Sequence, residues 1–450
     1  MSRRLRSFGA LGALAILVAA CSGSGTATPA PATQAPATQA AATTAPATPA
    51  PASEAPSAAP VAVEWWHITT GEPGKTIFQG FADAYMAAHP NVKINLTVLE
   101  NEAFKTKLAT TMQSGQAPDL FQSWGGGIMA AQADAGMLKD ITADVASWKD
   151  TVNPGAMSIY AYNGKQYGVP WDMGMIGVWY NKALFAKAGI TAPPATWDEF
   201  LADVTKLKNS GTYPLAIAGK DKWPSMHIWT YLLLRGGGSK ALTDMIQSGN
   251  WNTDACKAAG NEVLKLVALN PFQAGYKSAD YNAEAASVGN GKAAMEVMGQ
   301  WAPSVQNDQS TSKKGLGADL GWFPFPAITG GAGAATDGVG GGNGIAVGKN
   351  ASPEALDFLK FISSPENANK INAANMGLSP VAGTAASVTD PNLQAVLAGR
   401  DKATFMQLYL DQATSPAMGS AINDATVALF LGASTPEEAC QAITTAAAAQ

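Results

Sequence analysis

Five short apolar runs read as strands, and each ends in residues able to stack on a ligand or hydrogen-bond to it. Trp66 and His67 close VEWWH, with Glu72 in the loop that follows. Trp124 closes DLFQSW ahead of Gly125–Gly127, and Trp171 and Asp172 close YGVPWD. Trp223 follows YPLAIAG, and Trp301 follows KAAMEVMG. An indole offers either a stacking surface or apolar bulk for a core. Several such coincidences in one chain argue for a shared cleft. Other chemistries lack their motifs. No GxSxG elbow accompanies a Ser-His-Asp order, no HExxH occurs, and His67, His89 and His227 lack metal-ligand spacing. No metal and no cofactor is expected. The glycine-rich segment at 330–347 contains no GxxxxGK[ST] and runs from loop into strand, so it is not a nucleotide loop. Its glycines instead permit bends or close approach.

The elements that must hold these residues follow from periodicity. VAVEWWHI is a strand, and GKTIFQGFADAYMAAHP repeats apolar residues at helical spacing up to Pro90. VKINLTVLE alternates as a strand, AFKTKLATTMQSGQ reads as a helix, and APDLFQSW is another strand. This βαβαβ rhythm predicts an α/β fold with a mostly parallel sheet, whose ligands sit beyond the carboxyl ends of the strands. Thr196 with Glu199 forms a capping-box pattern, Ser352-Pro353 and Thr435-Pro436 are helix starts, and Gly211 is a stop. Trp65 faces opposite to Trp66 on its strand and is assigned to the core. Trp179, Trp197 and Trp322 are assigned to packing.

Composition sets the class. The chain has 450 residues, 47% hydrophobic and 14% charged, with a formal net charge of −5 and no basic stripe, so nucleic acid is not expected as a partner. Arg3, Arg4 and Arg6 precede the apolar run Phe8–Ala20, which is shorter than the roughly 20 residues a bilayer span needs and reads as a signal peptide over 1–20. Residues 21–60 are almost entirely Ala, Pro, Thr and Ser, with nothing bulky to bury, and predict an extended tether. Export would permit a disulfide between Cys256 and Cys440, and the sequence leaves that pairing open.

LVAAC resembles a bacterial lipobox, which implies a diacylglycerol on Cys21. VEWWHITTGE, PDLFQSWGGG, YGVPWDMGMIGVWYNKALFAKAGITAPPATWDEF, GKAAMEVMGQWAPS and SPEALDFLKFISSPE extend the likeness. So does the closing LYLDQ…SPAMGSAINDATVALFLG. In this order they resemble the extracellular solute-binding proteins of bacterial sugar ABC importers, in the branch of maltose- and xylo-oligosaccharide-binding lipoproteins. The resemblance runs from Val61 to the C-terminus. It implies a periplasmic-binding-protein-like fold with two α/β lobes, 61–172 plus 340–380 and 173–339 plus 381–450. The chain would cross between them near Asp172–Met173, near Gly340 and after about Gly377. It further implies a monomer that closes on its solute by a hinge and delivers it to ABC permease subunits. The chain would be lipid-anchored on the outer face of the cytoplasmic membrane and would have no enzymatic activity.

A sugar stacks its C–H face on indole and presents hydroxyls to carboxylates and amides, charge-assisted hydrogen bonds being the stronger. On that basis Trp124, Trp171 and Trp301 are the expected stacking platforms, and Asp172 and Asp411 the expected hydroxyl acceptors. Trp66, His67 and Glu72 would come from the first strand exit and Trp223 from the second lobe, while Gly341 and Gly342 would bring backbone N–H groups close. A glycosidase would use paired carboxylates roughly 5 to 9.5 Å apart. A metal-binding lipoprotein would show Tyr, His or carboxylate clusters, and a peptide or polyamine binder more cleft acids.

Overall fold

The structure, a computed structural model, describes residues 59–449. The signal segment, the Cys21 site and nearly all of the tether lie outside the described residues. The first sheet has five strands in the order Val92–Val98, Val61–His67, Leu120–Ser123, Gly344–Val347, Gly168–Pro170. The first three are parallel, as the βαβαβ rhythm predicts. Gly344–Val347 departs from that pattern and is antiparallel to both neighbours. Gly344 sits opposite Ser123 and Pro170, the last residues of their strands, so the chain enters this strand at the end where the others leave.

A second sheet runs Leu320–Phe323, Gly177–Asn181, Ala293–Met298, Tyr213–Leu215, with Gly177–Asn181 antiparallel to both its neighbours. A small third sheet joins Met406–Leu408, Gly338–Gly341 and Gly174–Met175. Two of its strands are the places where the chain changes sheets. Gly174–Met175 lies between Gly168–Pro170 and Gly177–Asn181, and Gly338–Gly341 lies between Leu320–Phe323 and Gly344–Val347.

Both faces of the first sheet are covered. Trp65 packs against Phe78 and Phe358, with ring centroids 5.0 and 5.3 Å apart. The opposite face carries Trp66, Phe104 and Phe121 in a separate core. A larger core gathers Trp197, Trp229, Trp251 and Phe325 around the second sheet. Trp179 and Trp197 are buried and Trp322 is half-buried, in keeping with packing roles. Cys256 and Cys440 are bonded, with Cα atoms 6.2 Å apart across a sequence separation of 184. They join helix Asp254–Ala268 to helix Pro436–Ala448 inside this same core.

The glycine-rich segment owes its composition to Arg235, whose fully buried guanidinium donates to the carbonyls of Phe325, Ala334, Ala335 and Asp337. A Cβ on Gly331 or Gly333 would lie 2.2 Å from Arg235 O or 1.9 Å from Leu234 O, so only glycine lets the loop wrap this helix so closely.

Helix starts follow the sequence signals. Thr196 and Glu199 form the reciprocal capping box, and Thr435 with Glu438 forms another. Ser352 Oγ accepts the Ala355 N–H at 3.2 Å, with Pro353 at the first helical position. Ser352→Ala is expected to lower stability by about 1 kcal/mol and Ser352→Gly by only a few tenths of that. Urea unfolding of the two variants side by side checks this; equal losses would show that the hydroxyl does not cap.

Candidate binding cleft

The strand exits open onto a cleft of about 1150 Å³, counting its mouth. Trp124 reaches it because the chain turns sharply at Gly125 and Gly126, whose φ angles are +68° and +62°. A Cβ on Gly126 would lie 2.5 Å from Gln412 O. The glycines therefore let the segment carrying Asp411 and Gln412 pack directly beside Trp124. Trp171 lies along the floor, its ring edge-on to Phe78 at 5.2 Å. Trp223 opens the helix Trp223–Ser248, and His227 sits one turn later on the same face. Trp301 immediately precedes the helix Ala302–Gln309, which also contributes Ser304 and Asp308 to the lining.

The rings form one connected set. Trp223 meets Tyr281 at 5.0 Å and His227 at 5.3 Å, while Trp301 meets Tyr409 edge-on at 5.9 Å. Several buried polar atoms in this wall have no protein partner among the described residues: Trp223 Nε1, His227 Nδ1 and Tyr409 OH. A buried polar group without a partner costs about 1–3 kcal/mol, a cost that a ligand or water hydrogen bond at the cleft wall would offset. Burial pushes His227 down to about 3, so its ring is neutral at physiological pH and acts through hydrogen bonding.

Trp124, Trp171, Trp223, Trp301 and Asp411 all line the cleft. Asp411 Oδ2 accepts from Asn423 Nδ2 at 3.2 Å. Six other expected residues do not reach it. Trp66 is buried on the far face of the first sheet under Lys107, whose Nζ lies 4.5 Å from the ring centre. His67 is 2% exposed and packs on Trp65 and Phe78 behind the cleft, where burial lowers it to about 4. Glu72 is exposed and accepts the Thr76 N–H at 3.2 Å at the start of helix Gly74–Ala88. Gly341 and Gly342 are inside the sheet crossing. A Cβ on Gly342 would lie 1.6 Å from Asp172 O, so these glycines make room for neighbouring chain and not for solute.

Asp172 is the most informative correction. It is 1% exposed and both its oxygens are occupied. Oδ1 accepts the Leu378 N–H at 2.7 Å; Oδ2 accepts Gln300 Nε2 at 2.6 Å and Asn343 Nδ2 at 2.9 Å. Burial pushes its carboxyl from 3.8 up to about 6, opposed by the Leu378 N–H, the two amides and the Arg400 charge. Asp172 does not face the cleft, but Asn343 does, and it is held from two sides: its Oδ1 accepts Gln122 Nε2 at 2.8 Å.

The expectations omitted His227, Tyr281, Asn343, Tyr409 and Gln412. Two had local signals: Asn343 is the lone polar residue in GGGNG, and Tyr409 lies two positions before Asp411. His227 and Tyr281 come from helices with no motif. Among the described residues no group of three or more His, Cys, Asp or Glu side chains could hold a metal ion, and no helix is long and apolar enough to cross a membrane.

Residues 69–369 match the family model described as bacterial extracellular solute-binding protein. The chain belongs to this family. A probable sugar-binding periplasmic protein of Mesorhizobium japonicum is 29% identical over 51% of this chain and 54% of its own length. The xylose/arabinose-binding protein of Haloferax volcanii is 27% identical, over 59% and 58% respectively. The chain thus spans between half and three fifths of these curated relatives. Solved structures match more fully. One from work on xylan utilization by Caldanaerobius polysaccharolyticus covers 85% of this chain and 99% of its own, with a TM-score of 0.79 and 27% identity. A chitin oligosaccharide binding protein superposes with the same TM-score of 0.79 at 22% identity, which speaks to fold alone. The fold is therefore the two-lobed α/β architecture of extracellular solute-binding proteins, and the chain works outside the cytoplasm.

Proposed function

We propose that this solute-binding protein captures a neutral sugar, as a short oligosaccharide, in the cleft and delivers it to ABC permease subunits. The observation that carries the reading is the wall itself. Flat rings of Trp124, Trp171 and Trp301 stand beside buried hydrogen-bonding atoms of Trp223, His227 and Tyr409 that have no partner among the described residues. Apolar planes with polar groups set among them complement a pyranose. Xylo-oligosaccharides lead the candidates, because LYLDQ resembles that branch and the relatives include a xylose/arabinose-binding protein.

In this reading the lobes are 61–172 plus 340–380 and 173–339 plus 381–450, and they close about the segments that cross between them, with Gly174–Met175 and Gly338–Gly341 at two of the crossings. Cys21 carries the lipid, residues 22–60 are the tether, and the folded part works as a monomer at the outer face of the cytoplasmic membrane. The sugar is bound and released without chemistry.

A thermal-shift screen over a sugar panel tests this. A ligand at a hundredfold excess over its Kd stabilises the folded form by about 2.7 kcal/mol, which raises the melting temperature by several degrees. The bound sugar is recovered unaltered. A panel in which no neutral saccharide moves the transition, or a sugar returned cleaved, overturns the proposal.

A further inference from the structure

The cleft does not end at Trp124. A second compartment of about 2040 Å³, counting its mouth, begins on the other side of that ring. Lys105, Trp124, Asp411 and Gln412 line both spaces and form the throat between them. Its floor is apolar, with Leu108 and Met112 from helix Asn101–Gln113 and Ile128 from helix Gly126–Asp134. Gln132 Oε1 and Asn423 Oδ1 also belong to residues of this lining, and both are buried acceptors without a protein partner among the described residues. Asn423 already spends its amide nitrogen on Asp411 at 3.2 Å, which leaves that oxygen to accept.

An apolar shelf with free acceptors repeats, in weaker form, the pairing found in the first compartment. The cations here are neutralised: Lys105 pairs with Glu102, Lys220 with Asp280 at 3.5 Å and Lys222 with Asp424. Nothing in this arrangement selects an anion. We infer that one linear, uncharged oligosaccharide threads the throat between Trp124 and Asp411 and places at least one ring in each compartment. The protein thereby selects for chain length. This inference rests on the sugar reading above and adds the size class of its ligand.

Calorimetry of the purified protein with di-, tri- and tetrasaccharides of the xylo-, malto-, cello- and chito- series tests it. In the series that binds, Kd should fall at least about tenfold from disaccharide to tetrasaccharide, which is roughly 1.4 kcal/mol. Ser420→Trp fills the second compartment from an exposed helix position, and Gln132→Leu removes one acceptor. Ser420→Trp should leave disaccharide affinity within about threefold of wild type and abolish the gain with length, and Gln132→Leu should reduce that gain. A flat length profile in the wild type, or a gain that survives Ser420→Trp in a folded variant, overturns the second compartment alone. Failure of every saccharide to bind overturns the sugar reading and this inference with it.

Discussion

Trp301→Ala is expected to lower affinity for the cognate sugar by about 30-fold to 1000-fold while the protein still folds. A buried aromatic anchor at the centre of a binding surface is worth about 2–4 kcal/mol on truncation, and each 1.4 kcal/mol is about tenfold in Kd. The ring is half-buried, and it packs edge-on to Tyr409 and His227 at 5.9 and 6.4 Å. Its loss therefore removes a stacking plane and also frees two neighbours whose polar atoms the solute would engage. The helix behind it stays anchored by buried Ala302, Pro303 and Gln306. Calorimetry measures the affinity and circular dichroism confirms the fold. A folded variant that binds within about threefold of wild type would remove Trp301 from the site.

Asp172→Asn is expected to separate binding from stability. The carboxylate faces three donors, and an amide replacing it can accept on one side only. Turned to keep the two amides, it leaves the Leu378 N–H facing an NH2 group; turned to keep Leu378, it forces Asn343 and Gln300 to flip or go unpaired, and Asn343 is a cleft residue. Losing a hydrogen bond to a charged group costs about 1.5–3 kcal/mol, so sugar affinity at neutral pH should fall about 10-fold to 100-fold. Stability should behave differently. Asp172 titrates at about 6 when folded against 3.8 ordinarily, so between those values the folded chain holds a proton that the unfolded chain has released. Its contribution is fully present below the lower value and is lost as pH rises through the higher one. Moving from about pH 4 to about pH 7.5, the unfolding free energy of Asp172→Asn relative to wild type should rise by about 2–3 kcal/mol. Denaturant titrations at both pH values measure this. A gap that does not change with pH would mean that Asp172 is not buried as a charge.

The sequence carried the elements well and the faces less well. Capping at Thr196 and Ser352 is local chemistry, visible in three or four consecutive residues, and the structure has it. Trp124, Trp171, Trp223 and Trp301 reached the cleft because strand and helix ends in this fold converge there. His67 was misplaced although a signal existed. It shares the face of Trp65 by the two-residue period of a strand, and the same pattern that buries Trp65 buries His67. Trp66 was misplaced because a parallel sheet is covered on both faces, so facing away from one core means facing another. Asp172 had no readable signal. Its donors come from positions 300, 343 and 378, and no local pattern announces that three distant segments meet at one carboxylate. Asp411, by contrast, rested on likeness of the LYLDQ stretch and lines the cleft.

The link between Cys256 and Cys440 has a mechanical consequence. Both sulfurs belong to the core around the second sheet, so the bond ties a region to itself and crosses none of the segments that change sheets. In the proposed two-lobe closure it would remove no degree of freedom from the hinge. In the reading proposed above, oxidation after export would therefore reinforce one lobe against the conditions outside the cell without stiffening the closure of the two lobes on the solute.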